Sequence, residues 1–289
     1  KTALFHLVGE QPIPNLLTTR HLRPDVVVLI HTDRTKEDAE SLKNILSGYL
    51  CYLYGVEPYN LLNIHNALQQ FIDQRLIGYQ LLFNLTGGTK PMSIAALLIA
   101  LQRNVPFLYF QTEGGRSLLY RYQFANQGEM QLQQQQEEIR ETLRLDDYLR
   151  AYVGSYTTEE LRNPFEQEVY RVLCGIDGIE ILTSVRLRAA LEVDFIIRLG
   201  NQVGVVEAKT KGGKAGIDQI QAVADQRYLG TYVSKFLVSG SIVDQNNKDL
   251  AKAYKIEVIE LTSFTINNSL SESDKEELKR RIIEKLKRG

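Results

Sequence analysis

The chain has 289 residues, of which 44% are hydrophobic and 24% are charged, a composition that excludes disordered and fibrous proteins. Its length exceeds that of a usual single domain, so two domains are expected. With a formal net charge of −1 and no strongly basic part, the chain is not predicted to bind nucleic acid tightly unaided, because such binding depends on counterion release by many Lys and Arg side chains. No run approaches the roughly 18 apolar residues of a membrane span and no signal peptide is evident, so we expect a cytoplasmic protein without membrane contact.

Short apolar strands alternate with segments of helical length in the first part of the chain. This alternation is typical of βαβ units, whose right-handed crossovers build a mostly parallel, doubly wound, Rossmann-like sheet. A ligand site in such a fold lies at the carboxyl ends of the strands. The predicted elements are strand Ala3–Gly9, strand Val26–Thr32, helix Lys36–Leu50, helix Asn63–Arg75, strand Gln80–Leu85, helix Met92–Arg103 and strand Pro106–Gln111.

The middle of the chain has a different composition. Residues Gln127–Glu141 are rich in Gln and Glu and include few large apolar side chains. Such a segment is typical of a solvated connector, or of the start of a linking helix that continues to about Tyr152. The predicted organisation is therefore a first domain at 1–125, a linker at 126–158 and a second domain at 159–289.

The last part of the chain predicts an α/β domain with a mixed sheet. Pro164 suits the first turn of a helix, where its missing N–H costs nothing. Gly200 and Asn201 form a hairpin signal between two strands. The predicted elements are helix Pro164–Leu173, strands Glu180–Arg188, Glu192–Leu199 and Val203–Lys209, helix Gly216–Leu229, strand Lys235–Ser239, helix Lys248–Tyr254, strand Glu257–Leu261 and helix Glu272–Arg288.

Three charged side chains interrupt two otherwise apolar strands of this domain. Glu207 and Lys209 end one strand and share a face, because side chains alternate along a strand. Asp194 lies in the preceding strand, so the predicted hairpin puts it beside Glu207. Two converging carboxylates repel each other unless a cation lies between them, and oxygen ligands favour Mg²⁺ or Mn²⁺. The pattern predicts metal-dependent phosphodiester hydrolysis, in which Lys209 orients water or stabilises the developing oxyanion.

These residues resemble the PD-(D/E)xK nuclease superfamily over about residues 160–265. The resemblance implies an acidic residue on the Pro164 helix, where Glu166 and Glu168 compete and Glu166 is preferred. It also implies a glutamine on the helix after the third strand, where Gln219 and Gln221 compete and Gln221 is taken. The implied metal ligands are Glu166, Asp194 and Glu207, and the implied catalytic residues are Glu166, Asp194, Glu207, Lys209 and Gln221.

A second set of polar residues follows the strands of the first domain. The loop Thr86–Lys90 precedes a helix with Pro91 in its first turn, so its glycines and Lys90 can cradle a phosphate at a helix N-terminus. The spacing is not that of a P-loop, which disfavours a nucleotide triphosphatase. Two further loops, Gly9–Asn15 and Thr32–Thr35, are expected at the same edge of the sheet. The predicted ligand-binding residues are Gly9, Glu10, Gln11, Pro12, Asn15, Thr32, Asp33, Asn84, Thr86, Gly87, Gly88, Thr89, Lys90 and Met92.

The first domain resembles the CRISPR-associated Rossmann-like sensor domain, CARF, in the Gly9–Asn15 loop, in Thr32 and Asp33, and above all in Thr86–Lys90. With its nuclease-like second domain, the whole chain is similar to the ancillary nucleases of type III CRISPR systems. The resemblance implies a homodimer that binds cyclic tetra-adenylate on its twofold axis near Lys90 and then cuts DNA or RNA. Ligand binding would reposition the nuclease sites, which requires the ligand to prefer the closed state of the sensor pair.

Two other functions compete with this hypothesis. A non-catalytic, nucleotide-sensing regulator would leave the coincidence of Asp194, Glu207 and Lys209 unexplained. For Glu207 and Lys209 alone, an exposed ion pair worth less than about 1 kcal/mol is the plain alternative. An unregulated repair or restriction nuclease would cut without any cyclic oligoadenylate. The sequence leaves open the choice between DNA and RNA, the ring size of the activator and the preferred metal.

Overall fold

The computed structural model describes residues 1–125, 131–187, 191–224, 229–230 and 232–288. The chain divides into two compact units, formed by Lys1–Thr112 with Ser117–Thr142 and by Glu113–Arg116 with Leu143–Gly289. In the part of the chain that the structure describes, no helix is both long enough and apolar enough to cross a lipid bilayer.

The first unit is an α/β fold around a mostly parallel sheet, as the sequence predicts. Its strands are β1 (Thr2–Leu7), β2 (Val26–His31), β3 (Leu50–Gly55), β4 (Gln80–Asn84), β5 (Phe107–Glu113), β6 (Arg116–Ala125) and β7 (Gln131–Glu138). Its helices are α1 (Ile13–Leu22), α2 (Lys36–Ile45), α3 (Leu61–Arg75) and α4 (Lys90–Gln102), with a 3₁₀ turn at Asp33–Thr35. Among the described residues the sheet has the order β3-β2-β1-β4-β5-β6-β7. The pairs from β3 to β5 are parallel, and β6 and β7 are antiparallel.

Apolar side chains on both faces of the central strands explain this layered arrangement. Every residue of β2 is buried, as in strands that are covered on both faces. On one face of β1, Ala3, Phe5 and Leu7 join a core cluster with α3 and α4. The rings of Phe5 and Phe83 stack there, with centroids 4.7 Å apart. Because β2, β1 and β4 are adjacent and parallel, the loops at their carboxyl ends meet at one edge of the sheet.

The predicted linker at 126–158 is wrong for its described residues. Residues Gln131–Glu138 form β7, which pairs with β6 in the register Leu118↔Glu138. An edge strand draws its stability from backbone hydrogen bonds, so its exposed Gln and Glu side chains show no apolar pattern that would reveal it. Residues 126–130 lie outside the described residues.

Two further differences concern the boundaries of elements. The helix predicted at Lys36–Leu50 ends at Ile45, and Leu50 begins β3, an edge strand that the sequence did not reveal. The linking helix expected to reach about Tyr152 exists as Leu145–Val153, with Leu145, Tyr148 and Leu149 buried in the second unit.

The second unit has the mixed sheet that the sequence predicts. Its strands are β8 (Tyr156–Thr158), β9 (Glu180–Leu187), β10 (Leu191–Leu199), β11 (Gln202–Lys209), β12 (Ser234–Ser239) and β13 (Ile256–Glu260). Its helices are α5 (Leu145–Val153), α6 (Pro164–Leu173), α7 (Lys214–Val223), α8 (Gln245–Ala253), α9 (Ser263–Asn267) and α10 (Glu272–Arg288). The strand order in the described residues is β13-β12-β11-β10-β9-β8. Arg188 and residues 225–228 of the predicted elements lie outside the described residues.

Strand β11 lies at the centre of this unit and is buried along nearly its whole length. Val206 and Ala208 point into a core cluster with α6 and α10. Glu207, between them, points to the other face, where Gly216 of α7 lies close to its side chain. An ionisable side chain is thereby held in the interior of the unit.

Candidate functional site

The hairpin of β10 and β11 brings Asp194 to Glu207 and Lys209. The two strands are antiparallel with Phe195 opposite Val206, which confirms the hairpin predicted from the turn at Gly200. Asp194 Oδ2 accepts a hydrogen bond from the backbone N–H of Ala208 at 2.8 Å, and it lies 3.7 Å from Lys209 Nζ. Lys209 Nζ also forms an ion pair with Glu207. The three side chains predicted from their spacing are therefore in contact.

Burial gives this cluster unusual electrostatics. Glu207 is fully buried, and burial together with the nearby charge of Asp194 raises its pKa to about 8. Burial also raises the pKa of Asp194, against the opposing effect of Lys209. Burial acts to lower the pKa of Lys209, but its contacts with Glu207 and Asp194 outweigh burial and raise it. The ammonium group thus stays charged, while the two carboxyl groups resist being charged together.

Of the two acidic residues considered on α6, Glu166 is the one that interacts electrostatically with Asp194 and Lys209. Asn163 caps this helix, its Oδ1 accepting a hydrogen bond from Phe165 N at 2.8 Å, and the buried Phe165 anchors the first turn. Burial, with the charge of Asp194, raises the pKa of Glu166 to about 7, and Lys209 acts in the opposite direction. Glu168 instead forms an ion pair with Arg171 on the same helix.

The structure does not support the choice of Gln221. Its Oε1 accepts a hydrogen bond from Lys235 Nζ at 3.1 Å, on β12. Gln219 Nε2 donates to the carbonyl oxygen of Glu192 at 2.9 Å, two residues before Asp194. Gly216 of α7 lies against the side chains of Glu207 and Lys209. Gln219, three positions after Gly216, lies on the same side of the helix, whereas Gln221, five positions after it, is rotated by about 140° around the helix axis. Gln219 is therefore the glutamine beside the cluster.

A divalent cation fits the donor chemistry of this cluster. Among the described residues, no group of three or more His, Cys, Asp and Glu side chains is arranged as a ready metal site. However, Asp194 and Glu207 place carboxylate oxygens side by side in a buried environment that raises the pKa of both groups. Hard cations prefer oxygen ligands, and a positive ion would offset the repulsion between these two.

Glycines allow the backbones of the loops after β1 and β4 to come into close contact at the edge of the first sheet. A Cβ atom added to Gly87 would lie 2.2 Å from the carbonyl oxygen of Leu7, and one added to Gly9 would lie 3.1 Å from Gly88 N. Gly88 also has a φ of +71°, in the left-handed region that favours glycine. The predicted Thr86–Lys90 loop thus needs these glycines for backbone contact with the first loop.

The polar side chains of these loops are largely engaged in fixing the loops themselves. Asn84 Oδ1 accepts hydrogen bonds from the backbone N–H and the hydroxyl of Thr86. Thr89 caps α4 by accepting from Met92 N and donates to the carbonyl oxygen of Pro58 at 2.6 Å. In the other two loops, Thr32 caps the 3₁₀ turn, and Glu10 forms an ion pair with Arg34. These bonds hold three loops in a defined shape around the sheet edge.

Two of the predicted residues have polar groups that the described chain leaves available. Asn15, in the first turn of α1, is 1% exposed, yet neither its Nδ2 nor its Oδ1 has a hydrogen-bond partner in the described residues. Lys90, the first residue of α4, is exposed and has no ion pair in the described part of the chain. A buried amide without a partner costs stability, so a polar ligand or water is expected there. Of the other predicted residues in these loops, Pro12 is buried and Asp33 is exposed.

Sequence reasoning missed two residues that connect this region. The sequence pattern assigns no ligand-site role to His6 or Thr19, yet His6 Nε2 lies 2.7 Å from Thr19 Oγ1. His6 Nδ1 lies 3.1 Å from Asn84 Nδ2. The one available signal was a histidine inside an apolar strand, which alone does not identify its partners.

A family model for the Card1 CARF domain matches residues 3–148, half of the chain. No curated protein sequence matches the chain. The match covers the loops after β1, β2 and β4 and leaves the Asp194 cluster outside its range.

Solved structures share the fold of the chain at low sequence identity. Can2 from Sulfobacillus thermosulfidooxidans, solved in complex with cyclic tetra-adenylate, is 16% identical with a TM-score of 0.74, and the match covers 99% of each chain. Protein VC1899 from Vibrio cholerae is 12% identical with a TM-score of 0.72, over 97% of this chain and 96% of that one. A type III CRISPR defence DNA nuclease activated by cyclic oligoadenylate is 17% identical with a TM-score of 0.61, over 84% of this chain and 45% of that one.

Proposed function

This chain belongs to the Card1 CARF domain family, and from that premise we propose that it is a metal-dependent nuclease of CRISPR defence, activated by a cyclic oligoadenylate. The first unit would bind the activator and the second would cut DNA or RNA. The observation that carries the nuclease assignment is the contact of Asp194, Glu207 and Lys209 on adjacent strands. Burying two carboxylates against each other destabilises a sheet, because burial penalises both charges, so a purely structural role does not explain their presence.

The residues of the cluster have separate tasks in phosphodiester hydrolysis. Asp194 and Glu207, with Glu166 beside them, would hold Mg²⁺ or Mn²⁺, which when bound supplies positive charge against the charge that gathers on the phosphoryl oxygens. Lys209 keeps its proton, because the neighbouring carboxylates raise its pKa, so it stabilises developing negative charge and does not act as a base. In the metal-free chain, burial and the charge of Asp194 raise the pKa of Glu166 to about 7, so a cation bound there would displace its proton.

The orphaned amide of Asn15 carries the sensor assignment. A fully buried amide without a partner lies in one loop, and the exposed ammonium of Lys90 lies at the N-terminus of α4 in another. Helix N-termini and lysines bind phosphates, and a buried amide discriminates by hydrogen bonding. A cyclic oligoadenylate offers both phosphates and base or sugar polar groups. Cyclic tetra-adenylate is the ring we propose.

A homodimer fits the surface of α4. From Ile94 to Leu101 this helix is apolar around its whole circumference, and Ile94 and Leu98 are 47% and 38% exposed. A helix that is apolar on all sides is normally covered, so its exposed side fits a partner surface. Because Lys90 begins the same helix, a symmetric pair would bring two copies of Lys90 to one ligand, as a twofold-symmetric ring requires. Activation then needs the ring to bind the closed pair more tightly than the open one.

Cleavage assays with and without activator test the proposal. Labelled single-stranded RNA, single-stranded DNA and supercoiled plasmid would be incubated with Mn²⁺, with no ring, cyclic tetra-adenylate or cyclic hexa-adenylate. Lys209→Ala should abolish cleavage, while Lys252→Ala, an exposed lysine of α8, should not. Cutting that ignores the rings would replace the proposal with an unregulated repair or restriction nuclease. No cutting under any condition would favour a non-catalytic regulator.

A further inference from the structure

A chain of buried hydrogen bonds runs beneath the sensor loops and passes through His6. The ring lies on β1, between α1 and β4, and is fully buried. Its Nε2 is 2.7 Å from Thr19 Oγ1 on α1, and its Nδ1 is 3.1 Å from Asn84 Nδ2 at the end of β4. Both partners are also fully buried. The two sides of the ring therefore contact two different elements of the sensor unit.

The direction of each hydrogen bond in this chain follows from one backbone group. The N–H of Thr86 can only donate, and it points to Asn84 Oδ1 at 3.2 Å, so the amide nitrogen of Asn84 faces His6. His6 Nδ1 must then accept, which leaves the ring hydrogen on Nε2 to be donated to Thr19. A doubly protonated ring would oppose two donors at Nδ1. Burial also disfavours the doubly protonated ring, because it lowers the pKa of His6 to about 3.

Both ends of the chain reach residues of the proposed ligand site. At one end, the Thr86 hydroxyl donates to Asn84 Oδ1 and accepts from Phe110 N at 2.7 Å, which fixes the start of the Thr86–Lys90 loop. At the other end, Thr19 lies one helical turn after Asn15, on the same side of α1. The position of Thr19 therefore sets the position of the orphaned Asn15 amide.

We propose that His6 is a positioning residue of the sensor site. It links Thr19 of α1 to Asn84, which holds the Thr86–Lys90 loop, and so fixes the positions of two ligand-binding loops relative to each other. The inference rests on the proposed function, because it assigns ligand binding to both loops. A purely packing role would need only the shape of the ring. A positioning role needs the directed hydrogen bonds, because each fixes the orientation of the next group.

Two adjacent threonines provide a matched test. Thr19→Val removes the hydroxyl that His6 contacts, while Thr18→Val removes a fully buried hydroxyl without a partner in the described residues. Three quantities would be measured on the full chain: the His6 tautomer by ¹⁵N NMR, the hydrogen exchange of the Thr86 amide, and the affinity for cyclic tetra-adenylate by calorimetry. Thr19→Ser, which keeps the hydroxyl, serves as the rescue variant.

Wild-type protein should show the Nε2–H tautomer. Thr19→Val should disturb that tautomer, speed exchange of the Thr86 amide and weaken ring binding by roughly tenfold, since an unpaired buried donor is costly. Thr18→Val and Thr19→Ser should resemble wild type. A wild-type Nδ1–H tautomer, or Thr19→Val exchange equal to that of Thr18→Val, would overturn the inference. If wild type binds no ring, the proposed function fails, while the tautomer and exchange measurements still decide the role of His6.

Discussion

Asp194 on β10 is tied to the backbone of β11 by the 2.8 Å hydrogen bond that its Oδ2 accepts from Ala208 N. This bond fixes the carboxylate between Glu207 and Lys209, the two side chains that flank Ala208 on the strand. It also acts to lower the pKa of Asp194, against the larger effect of burial. The side chain of Asp194 thus makes a structural hydrogen bond and also supplies the negative charge proposed for catalysis, and a substitution can remove the charge while keeping the hydrogen bond.

Asp194→Asn should abolish cleavage without unfolding the chain. An Asn side chain keeps an oxygen that can accept from Ala208 N, but it lacks the charge that the reaction needs. We expect the cleavage rate to fall by at least roughly 100-fold and the Tm to stay the same or rise, because one of two repelling carboxylates is removed. Rate and Tm would be measured on the same preparation. Activity within a factor of a few of wild type would remove Asp194 from the catalytic cluster.

The stability of the metal-free chain should decrease with pH because of Glu207. Its pKa is raised from 4.5 to about 8 on folding, so the folded state binds the proton more tightly than the unfolded state. This group therefore contributes stability that is complete below about pH 4.5 and lost as the pH rises through about 8. In EDTA, the Tm of wild type should fall more steeply across this window than that of Glu207→Gln. Parallel curves would contradict the assignment.

Glu166→Gln should reduce cleavage, whereas Glu168→Gln should not. Both residues lie on α6, but only Glu166 interacts with Asp194 and Lys209, while Glu168 pairs with Arg171. An exposed or partly exposed ion pair contributes about 1 kcal/mol or less, so loss of the Glu168 pair should scarcely change the Tm. Cleavage rates over a range of Mn²⁺ concentrations would compare the two variants. The reverse order of activities would show that the helix acid is Glu168.

Gly87→Ala should destabilise the first unit and impair ring binding. The added Cβ would lie 2.2 Å from the carbonyl oxygen of Leu7, which the backbone must move to avoid, at a cost of roughly 1–3 kcal/mol or more. Gly48→Ala is the control, since nothing lies within 4 Å of a Cβ at that position. Denaturant midpoints and ring affinity would be compared. Equal stability of the two variants would mean that the loops after β1 and β4 separate readily.

Ile94→Glu combined with Leu98→Glu should convert the proposed dimer to a monomer. Both side chains are exposed on α4, and a charge at each would oppose burial against a second copy. Ile77→Glu, at a position that is 80% exposed, is the matched control. Molar mass in solution would be measured by light scattering with and without cyclic tetra-adenylate. A double variant that remains dimeric would place the interface elsewhere.

Much of the fold could be predicted because the spacing of apolar residues along the sequence marks strands and helices directly. The apolar run Val26–Ile30 predicted a buried strand, and the helix predicted from Met92 begins two residues earlier, at Lys90, with Pro91 in its first turn. Strand β7 could not be predicted, because an edge strand of Gln and Glu is held by its backbone and shows no apolar pattern. The contact of Asp194 with Glu207 and Lys209 followed from alternation along two strands joined by a recognisable turn.

The sequence by itself determined which residue types end the strands of each sheet, and hence that two polar clusters would form. The strand period of two and the hairpin turn set these positions locally, without reference to distant parts of the chain. Only the tertiary structure decided that Glu166 and Gln219 approach the cluster while Glu168 and Gln221 contact other partners. It also decided that His6 connects Thr19 to Asn84, residues 65 positions apart in the chain. Such contacts depend on how helices rotate against the sheets, which packing of the whole core sets and no local spacing encodes.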